Sequence, residues 1–298
     1  MTSIVVFGDI NVDIVSRLSG PVNFESDTNA TTRMSVGGSP SNVAAWIAYS
    51  GHDVSLLAAV ADDDLGTLAR HRLAQRGVRT SHIQTIMGGH TGTCVIVVDS
   101  EGNRTMFPDF GANLQVSLTQ PCAAQIRQAD ILVMSAYTFM RAETQQQAID
   151  VVTLARENDT FVVIDAASSA PIRTVGPQKV RSFLEHADIL LANDDEVAAL
   201  ISDGETSWLG SRSNLIIKHG AGGASWWTNG VLITQVPAPR IDVVDTTGAG
   251  DALCAGVVGA LGSHGSWFDV PVEVKFNALR TAVEIASRCC IQQGAWPQ

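Results

Sequence analysis

Basic residues are scarce in this chain. Nineteen Lys and Arg stand against 30 Asp and Glu, a formal net charge of −11. No stretch of sequence gathers enough positive charge to neutralise a row of phosphates, so nonspecific nucleic-acid binding is not expected. The five cysteines (Cys94, Cys122, Cys254, Cys289 and Cys290) form neither a CxxC pair nor a disulfide framework. Each lies in an apolar setting that suits a reduced core thiol. Among seven histidines there is no HExxH and no pair four residues apart, so a metal cage built by the protein is not expected. No uninterrupted apolar run is long enough to span a bilayer. Met1-Thr2-Ser3 runs straight into the strand-like Ile4-Val5-Val6-Phe7, which leaves no room for a signal peptide. The expected location is cytoplasmic, with no membrane partner. The dinucleotide fingerprint is also missing after the first strand, which makes a nicotinamide-dependent oxidoreductase a poor reading.

What is present is an alternation. A chain of 298 residues, 45% of them hydrophobic, can bury a large core. Apolar β-branched runs at Ile4–Phe7, Val54–Val60, Ile131–Met134, Phe161–Asp165, Ile189–Ala192 and Leu215–Lys218 read as strands buried on both faces. Helical patterns lie between them, at 63–76, 143–157, 176–186 and 194–202. Repeated βα units require right-handed crossovers and predict a doubly wound, mainly parallel sheet between two helical layers. Two segments break the pattern, at about 12–36 and 88–112. In the second, Thr93–Val98, a turn at Ser100–Asn103 and a return through Arg104–Phe107 predict a hairpin. One α/β domain over 1–298 with a small separate sheet is therefore expected. From these residues alone an ordinary surface hairpin remains open.

The chemistry concentrates at Asp245-Thr246-Thr247-Gly248-Ala249-Gly250-Asp251, which precedes an apolar helix. Small residues in a first helical turn present N–H groups that lack intrahelical partners, and the dipole's positive end adds to them. Such a turn suits phosphate. Asp251 inside it fits a base that accepts the proton of an attacking hydroxyl. The plainer alternative is a glycine turn with an acidic helix cap. Upstream, Gly37-Gly38-Ser39-Pro40-Ser41-Asn42 opens another helix with paired glycines, an early proline and cap candidates. Asp9, Asn11 and Asp13 alternate near the C-terminal end of the first strand, where α/β sheets bind ligands.

Together, Asp245–Gly256 and Gly37–Ala44, in this order and roughly two hundred residues apart, resemble the two signatures of the PfkB/ribokinase family of small-molecule kinases. The resemblance implies a ribokinase-like fold with a small β-sheet lid over the acceptor, often a dimer contact, so a homodimer through the lid is possible. It implies ATP-dependent phosphorylation of a sugar hydroxyl, with Asp251 as base and the backbone of Gly248, Ala249 and Gly250 as anion hole. Asn11, Asp13 and Asn42 would hold sugar hydroxyls against Gly37 and Gly38. Asn193 and Glu196 match the family's Asn-x-x-Glu element, which organises phosphates and Mg²⁺, here through water; a helix start with dipole-favoured acids explains them equally well. Lys218, Gly220 and Gly223 match a Lys-x-Gly-x-x-Gly segment bordering the nucleotide, although on its own this turn is neither a GxGxxG nor a P-loop. Asp245 and Thr247 match positions that hold a monovalent cation, expected to be K⁺. Basic residues near Asp245 in sequence are few, which favours that reading over a simple turn cap.

Departures from the family leave the acceptor open. Ser39 stands where ribokinases carry Lys, Tyr137 where they carry Glu, and Asp165-Ala166-Ala167-Ser168-Ser169 replaces the Asp-Pro-Asn-x-Arg of many fructokinases. A nucleoside kinase on the same fold would need an apolar slot, for which Phe107, Phe110 and Tyr137 are candidates. A sensor that has lost catalysis is the other alternative.

Overall fold

The computed structural model describes residues 2–211, 214–264 and 270–298. Thirteen strands are present among them: β1 (Ile4–Phe7), β2 (Asn11–Leu18), β3 (Ala30–Gly37), β4 (Val54–Ala61), β5 (Ile83–Ile86), β6 (Thr93–Val98), β7 (Arg104–Asp109), β8 (Ile131–Ser135), β9 (Phe161–Asp165), β10 (Ile189–Asn193), β11 (Leu215–Lys218), β12 (Ala224–Thr228) and β13 (Val231–Val236). Nine of them form one sheet in the order β13-β12-β11-β10-β9-β8-β1-β4-β5, and four form a second in the order β3-β2-β6-β7. In the large sheet the strands from β5 to β11 run parallel. The edge pair β12 and β13 returns antiparallel.

Continuous apolar strands feed two cores. Ile4 and Val6 of β1, with Leu56, Ala58 and Val60 of β4, pack on one face of the large sheet, against the helices Ser39–Tyr49, Ala249–Gly262 and Val272–Cys290. Val5 and Phe7, with Leu57 and Ala59, face the other core and the helices Gln120–Arg127, Gln145–Glu157 and Pro177–Leu184. Every residue of β4 is buried. Burying each large side chain contributes about 1.5–3 kcal/mol. The helix Ala249–Gly262 packs closely on its neighbour because Gly256 has no side chain: a Cβ there would lie 2.5 Å from the Cα of Ala282.

One expectation is corrected by this topology. Asp9, Asn11 and Asp13 do not form one polar face at the end of the first strand. β1 stops at Phe7, Gly8 turns with φ +149° under Pro40, and Asn11 begins a strand of the small sheet. Asn11 and Asp13 share a face of β2, whereas Asp9 lies outside it and pairs with Arg141 at 2.6 Å. The hairpin stands as read, at β6 and β7, and β2 and β3 complete its sheet. Among the described residues no helix is long and apolar enough to cross a membrane.

Candidate active site

Two glycine turns meet where the small sheet joins the large one. Gly37 ends β3 directly beneath Asp13, so closely that a Cβ would lie 2.1 Å from the carboxylate. Gly38 takes φ +94°, and a Cβ on it would meet the carbonyl oxygen of Asp9 at 2.7 Å. The second turn is Thr246–Gly248. Gly248 adopts the left-handed conformation, φ +80°, and lies against Ala295 of the C-terminal tail with no space for a side chain.

Asp251 sits in the first turn of the helix Ala249–Gly262 and is held from both sides. Ser39 donates its hydroxyl to Oδ1 at 2.6 Å, and Asn42 donates Nδ2 to Oδ2 at 2.7 Å. Asn42 is fixed in turn by the indole N–H of Trp296, 2.8 Å from its Oδ1. Burial pushes the Asp251 carboxyl up to about 6, against the pull of the Ser39 and Asn42 hydrogen bonds. Burial, reinforced by the charge of Asp251, pushes Asp13 up to about 7. Two acids of raised pKa thus face one site, an arrangement typical of functional carboxylates. Asn11 belongs to the same wall: its Oδ1 accepts from Asn113, whose side chain also pins the backbone of Ile10.

The glycine turn before Asp251 differs in one free donor from the expected set. The N–H of Ala249 donates to the carbonyl of Thr246 at 3.2 Å. The N–H groups of Gly248, Gly250 and Asp251 have no acceptor among the described residues, so these three are the donors left free at the turn. Lys218 approaches the same turn; a Cβ on Gly250 would lie 3.4 Å from its Nζ. Its ammonium is 2.6 Å from Asp165 and 3.9 Å from Glu196. Burial would lower its pKa, but the charges of these two acids outweigh that and hold it above the usual lysine value. Lys218 is therefore a fixed positive charge beside the glycines.

Next to Lys218 opens a cavity of 440 Å³. Gly220 and Gly223 line one side, and Ala238, Ile241, Val243, Leu253, Val283 and Ala286 supply apolar walls. Apolar walls with a few polar groups at one end are the common form of a small-molecule site. Asn193 and Glu196 do not line it. They form a capping box at the start of the helix Asp194–Leu200, with Asn193 accepting from the N–H of Glu196 and Glu196 accepting from both nitrogens of Asn193. Glu196 reaches the site only through Lys218, and burial pushes its carboxyl up.

Asp245 is corrected. It is buried, as expected, but not short of basic partners. Arg104 meets Oδ1 at 2.6 Å and Arg33 meets Oδ2 at 3.3 Å. The N–H and hydroxyl of Thr247 donate to Oδ1, and the N–H of Gly294 to Oδ2. Five donors fill the roughly four lone-pair positions of a carboxylate. Asp245 and Thr247 therefore do not fit a K⁺ site. Sequence reading also missed Ser39 as a partner of Asp251, Trp296 as a partner of Asn42, Asp165 as partner of Lys218, and the apolar cavity walls. Asp165 at a strand's C-terminal end was the one signal available for these.

A helix N-terminus that presents both an acid and free N–H groups, beside a buried lysine and an apolar cavity, defines a phosphotransferase on a doubly wound sheet. Comparison with known proteins gives the family: the model of the pfkB family carbohydrate kinases matches residues 1–293, and the chain belongs to that family. It is 31% identical over 262 residues to an ATP-dependent ribose-1-phosphate kinase of Halopiger xanaduensis, covering 87% of this chain and 84% of the relative. Among solved structures it resembles the ribokinase of Arabidopsis thaliana complexed with ribose and ATP (TM-score 0.82, 23% identity, 99% and 95% of the two chains). It likewise resembles the adenosine kinase of Sinorhizobium meliloti (TM-score 0.82, 21% identity, 99% and 96%). The chain is thus a sugar or nucleoside kinase, a phosphotransferase with an alcohol acceptor, in a family that uses ATP.

Proposed function

We propose that this kinase transfers the γ-phosphoryl group of ATP to a hydroxyl of a sugar-type acceptor, with Asp251 as general base. The observation that carries this reading is the position of Asp251. It belongs to the turn whose N–H groups are free for phosphate, and it bonds to Ser39 and Asn42 of the Gly37-Gly38 turn on the acceptor side. Each carboxylate oxygen uses one lone pair on these bonds and keeps another for the acceptor hydroxyl. The hydroxyl, oriented by Asn11, Asp13 and Asn42, gives its proton to Asp251 as its oxygen bonds to the γ-phosphorus. The bond from that phosphorus to the leaving ADP oxygen breaks in the same step. The N–H groups of Gly248, Gly250 and Asp251, with Lys218, stabilise charge on the phosphoryl oxygens. In a loose transition state such positioning and electrostatics supply most of the acceleration. The adenine fits the cavity lined by Gly220 and Gly223.

No group of three or more metal-binding side chains occurs among the described residues. The buried carboxylates of Asp165 and Glu196, both beside Lys218, would meet through water the Mg²⁺ carried on the ATP phosphates, since Mg²⁺ dehydrates reluctantly. When bound it neutralises charge on the phosphate oxygens. In this reading the small sheet is a lid. Its outer face carries the register-matched row Met34, Ile14, Val95 and Phe107, with Met34 and Phe107 more than half exposed. The row fits a second copy of the chain.

The relatives' names span a sugar, a sugar phosphate and a nucleoside, so they leave the acceptor open. A specific observation disfavours the nucleoside. Phe107 faces outward, and the guanidinium of Arg141 covers the ring of Phe110 at 3.8 Å, so the expected base slot is not formed. ADP release measured across sugars, sugar phosphates and nucleosides tests the reading. Turnover confined to nucleosides contradicts it.

A further inference from the structure

The face of the small sheet that looks toward the body of the protein is basic, in a chain of net charge −11. Register builds it. Arg17 on β2 and Arg104 on β7 flank Val98 of β6 in one cross-strand row. Arg33 on β3 lies one row closer to Asp13, which pairs with Ser35. All three arginines line one pocket, and that pocket also includes Asp13 and Asp245. Arg33 and Arg104 share the single carboxylate of Asp245, and Arg17 has no ion-pair partner among the described residues. Two guanidinium groups thus meet one anchoring carboxylate, and a third lines the same pocket.

Such a cluster is costly without an anion between its members, because like charges at short range repel. Asp245 offsets part of that cost and fixes two of the guanidinium groups side by side. Each guanidinium has five N–H donors in a rigid fork, and most of them stay unused here. Planar forks of this kind match phosphate oxygens two at a time. The location says whose phosphate it is. The cavity lined by Lys218 and Gly220 is bordered by Thr246, Ala249 and Gly250, whereas Asp245 and Thr247 line the arginine pocket, where Arg33 lies two strand residues, roughly 7 Å, beyond Asp13. A ligand with one hydroxyl at Asp251 and others at Asp13 would project its far end among the arginines.

We infer that the acceptor is a sugar phosphate, whose phosphate ester at the end remote from the reacting hydroxyl is held by Arg17, Arg33 and Arg104. This rests on the kinase reading above. The balanced reaction converts ATP and a sugar monophosphate to ADP and a sugar bisphosphate, with the hydroxyl proton leaving through Asp251. A neutral sugar would bring no anion to Arg17 and to the donors that Arg33 and Arg104 keep free of Asp245.

The test uses the full chain with ribose 1-phosphate, ribose 5-phosphate and fructose 1-phosphate, each beside its parent sugar, and gluconate as a carboxylate control. ADP release gives kcat and KM, and calorimetry gives binding independently of turnover. The expected result is a kcat/KM at least 100-fold higher for one of the monophosphates than for its parent sugar. Arg17→Met should weaken that monophosphate about 10–100-fold in KM and in calorimetric Kd, the worth of one or two charge-assisted hydrogen bonds. ATP affinity should stay unchanged, and Arg17→Lys should recover part of the loss. Equal or better turnover of neutral sugars or gluconate overturns the inference, as does Arg17→Met binding the monophosphate like the parent protein. Arg17-dependent binding without ADP release would keep the phosphate site and sink the kinase reading. No binding of any monophosphate sinks the site itself.

Discussion

The two halves of the site are built from different materials. On the donor side, backbone N–H groups, glycines and apolar walls shape a cavity, and Lys218 and Arg240 supply the charge. On the acceptor side, side chains from all four strands of a thin sheet point inward, and Asp13, Arg17, Arg33, Ser35 and Arg104 set charged and polar groups among Val15, Ile96, Val98 and Met106. Under the proposed function the donor half supplies the anion site, and the acceptor half sets specificity through the register of strands far apart in sequence. Activity and substrate are therefore written in different ways, and the comparison can be broken from either side.

The largest effect is expected where the halves meet. Asp251→Asn should lower kcat by roughly 10²–10⁴, the usual worth of a positioned base. The change is nearly isosteric, so ATP affinity measured by calorimetry should hold. A variant with near parental turnover would detach Asp251 from the chemistry and leave only its link between the two turns.

On the donor side the lysine can be removed. Lys218→Met leaves Asp165 and Glu196 buried without their counter-charge, a change that costs about 3–5 kcal/mol. At about 2–4 °C per kcal/mol for a chain of this size, the melting temperature should fall by roughly 10 °C. An unchanged melting temperature would mean that water, not Lys218, satisfies these acids.

The acceptor side should respond to pH instead. Asp13 titrates near 7 in the folded protein against 3.8 in its unperturbed state. Between those values the folded protein keeps a proton that the unfolded chain has lost, so this group lowers stability as pH rises from about 4 to about 7. Asp13→Asn removes that loss. Its melting temperature should exceed the parent's by a few degrees at pH 8 and by less at pH 5. A gain that is the same at both values would contradict the burial of a titrating carboxyl at this position.

The smallest effect concerns the salt. Because five donors already fill Asp245, turnover in K⁺ and in Na⁺ at matched ionic strength should agree within about twofold. A strong preference for K⁺ would mean that Arg33 and Arg104 yield Asp245 to the ion during catalysis.

Much of the fold could be read in advance, because strands buried on both faces are continuous apolar runs that need no partner to be recognised. The antiparallel edge β12–β13 and the last helix escaped, since their amphipathic patterns carry less of that signal. The donor half was legible for a similar reason. Gly248, Gly250 and Asp251 lie within four residues, and a helix start brings their groups together without help from the rest of the chain. Asp245 was misjudged because nearness in sequence stood in for nearness in space. Its partners are 212 and 141 residues away, delivered by β3 and β7. The same distance hid the arginine face, which no single stretch of sequence displays. Ser39 was visible only as a departure, and its meaning, a hydroxyl on the base, required the turn to be folded.

The most direct test of Asp251 as the base joining the two halves is the pH profile of kcat/KM from pH 5 to 8, in the parent protein, in Ser39→Ala and in Asp251→Asn. Burial places the Asp251 carboxyl near 6, and the Ser39 hydrogen bond opposes that rise. A base must be deprotonated, so the account predicts a rate that climbs through about pH 6. The climb should move to higher pH in Ser39→Ala, and the low residual rate of Asp251→Asn should lack it. A parental profile flat from pH 5 to 8, or the same climb surviving in Asp251→Asn, would contradict the account.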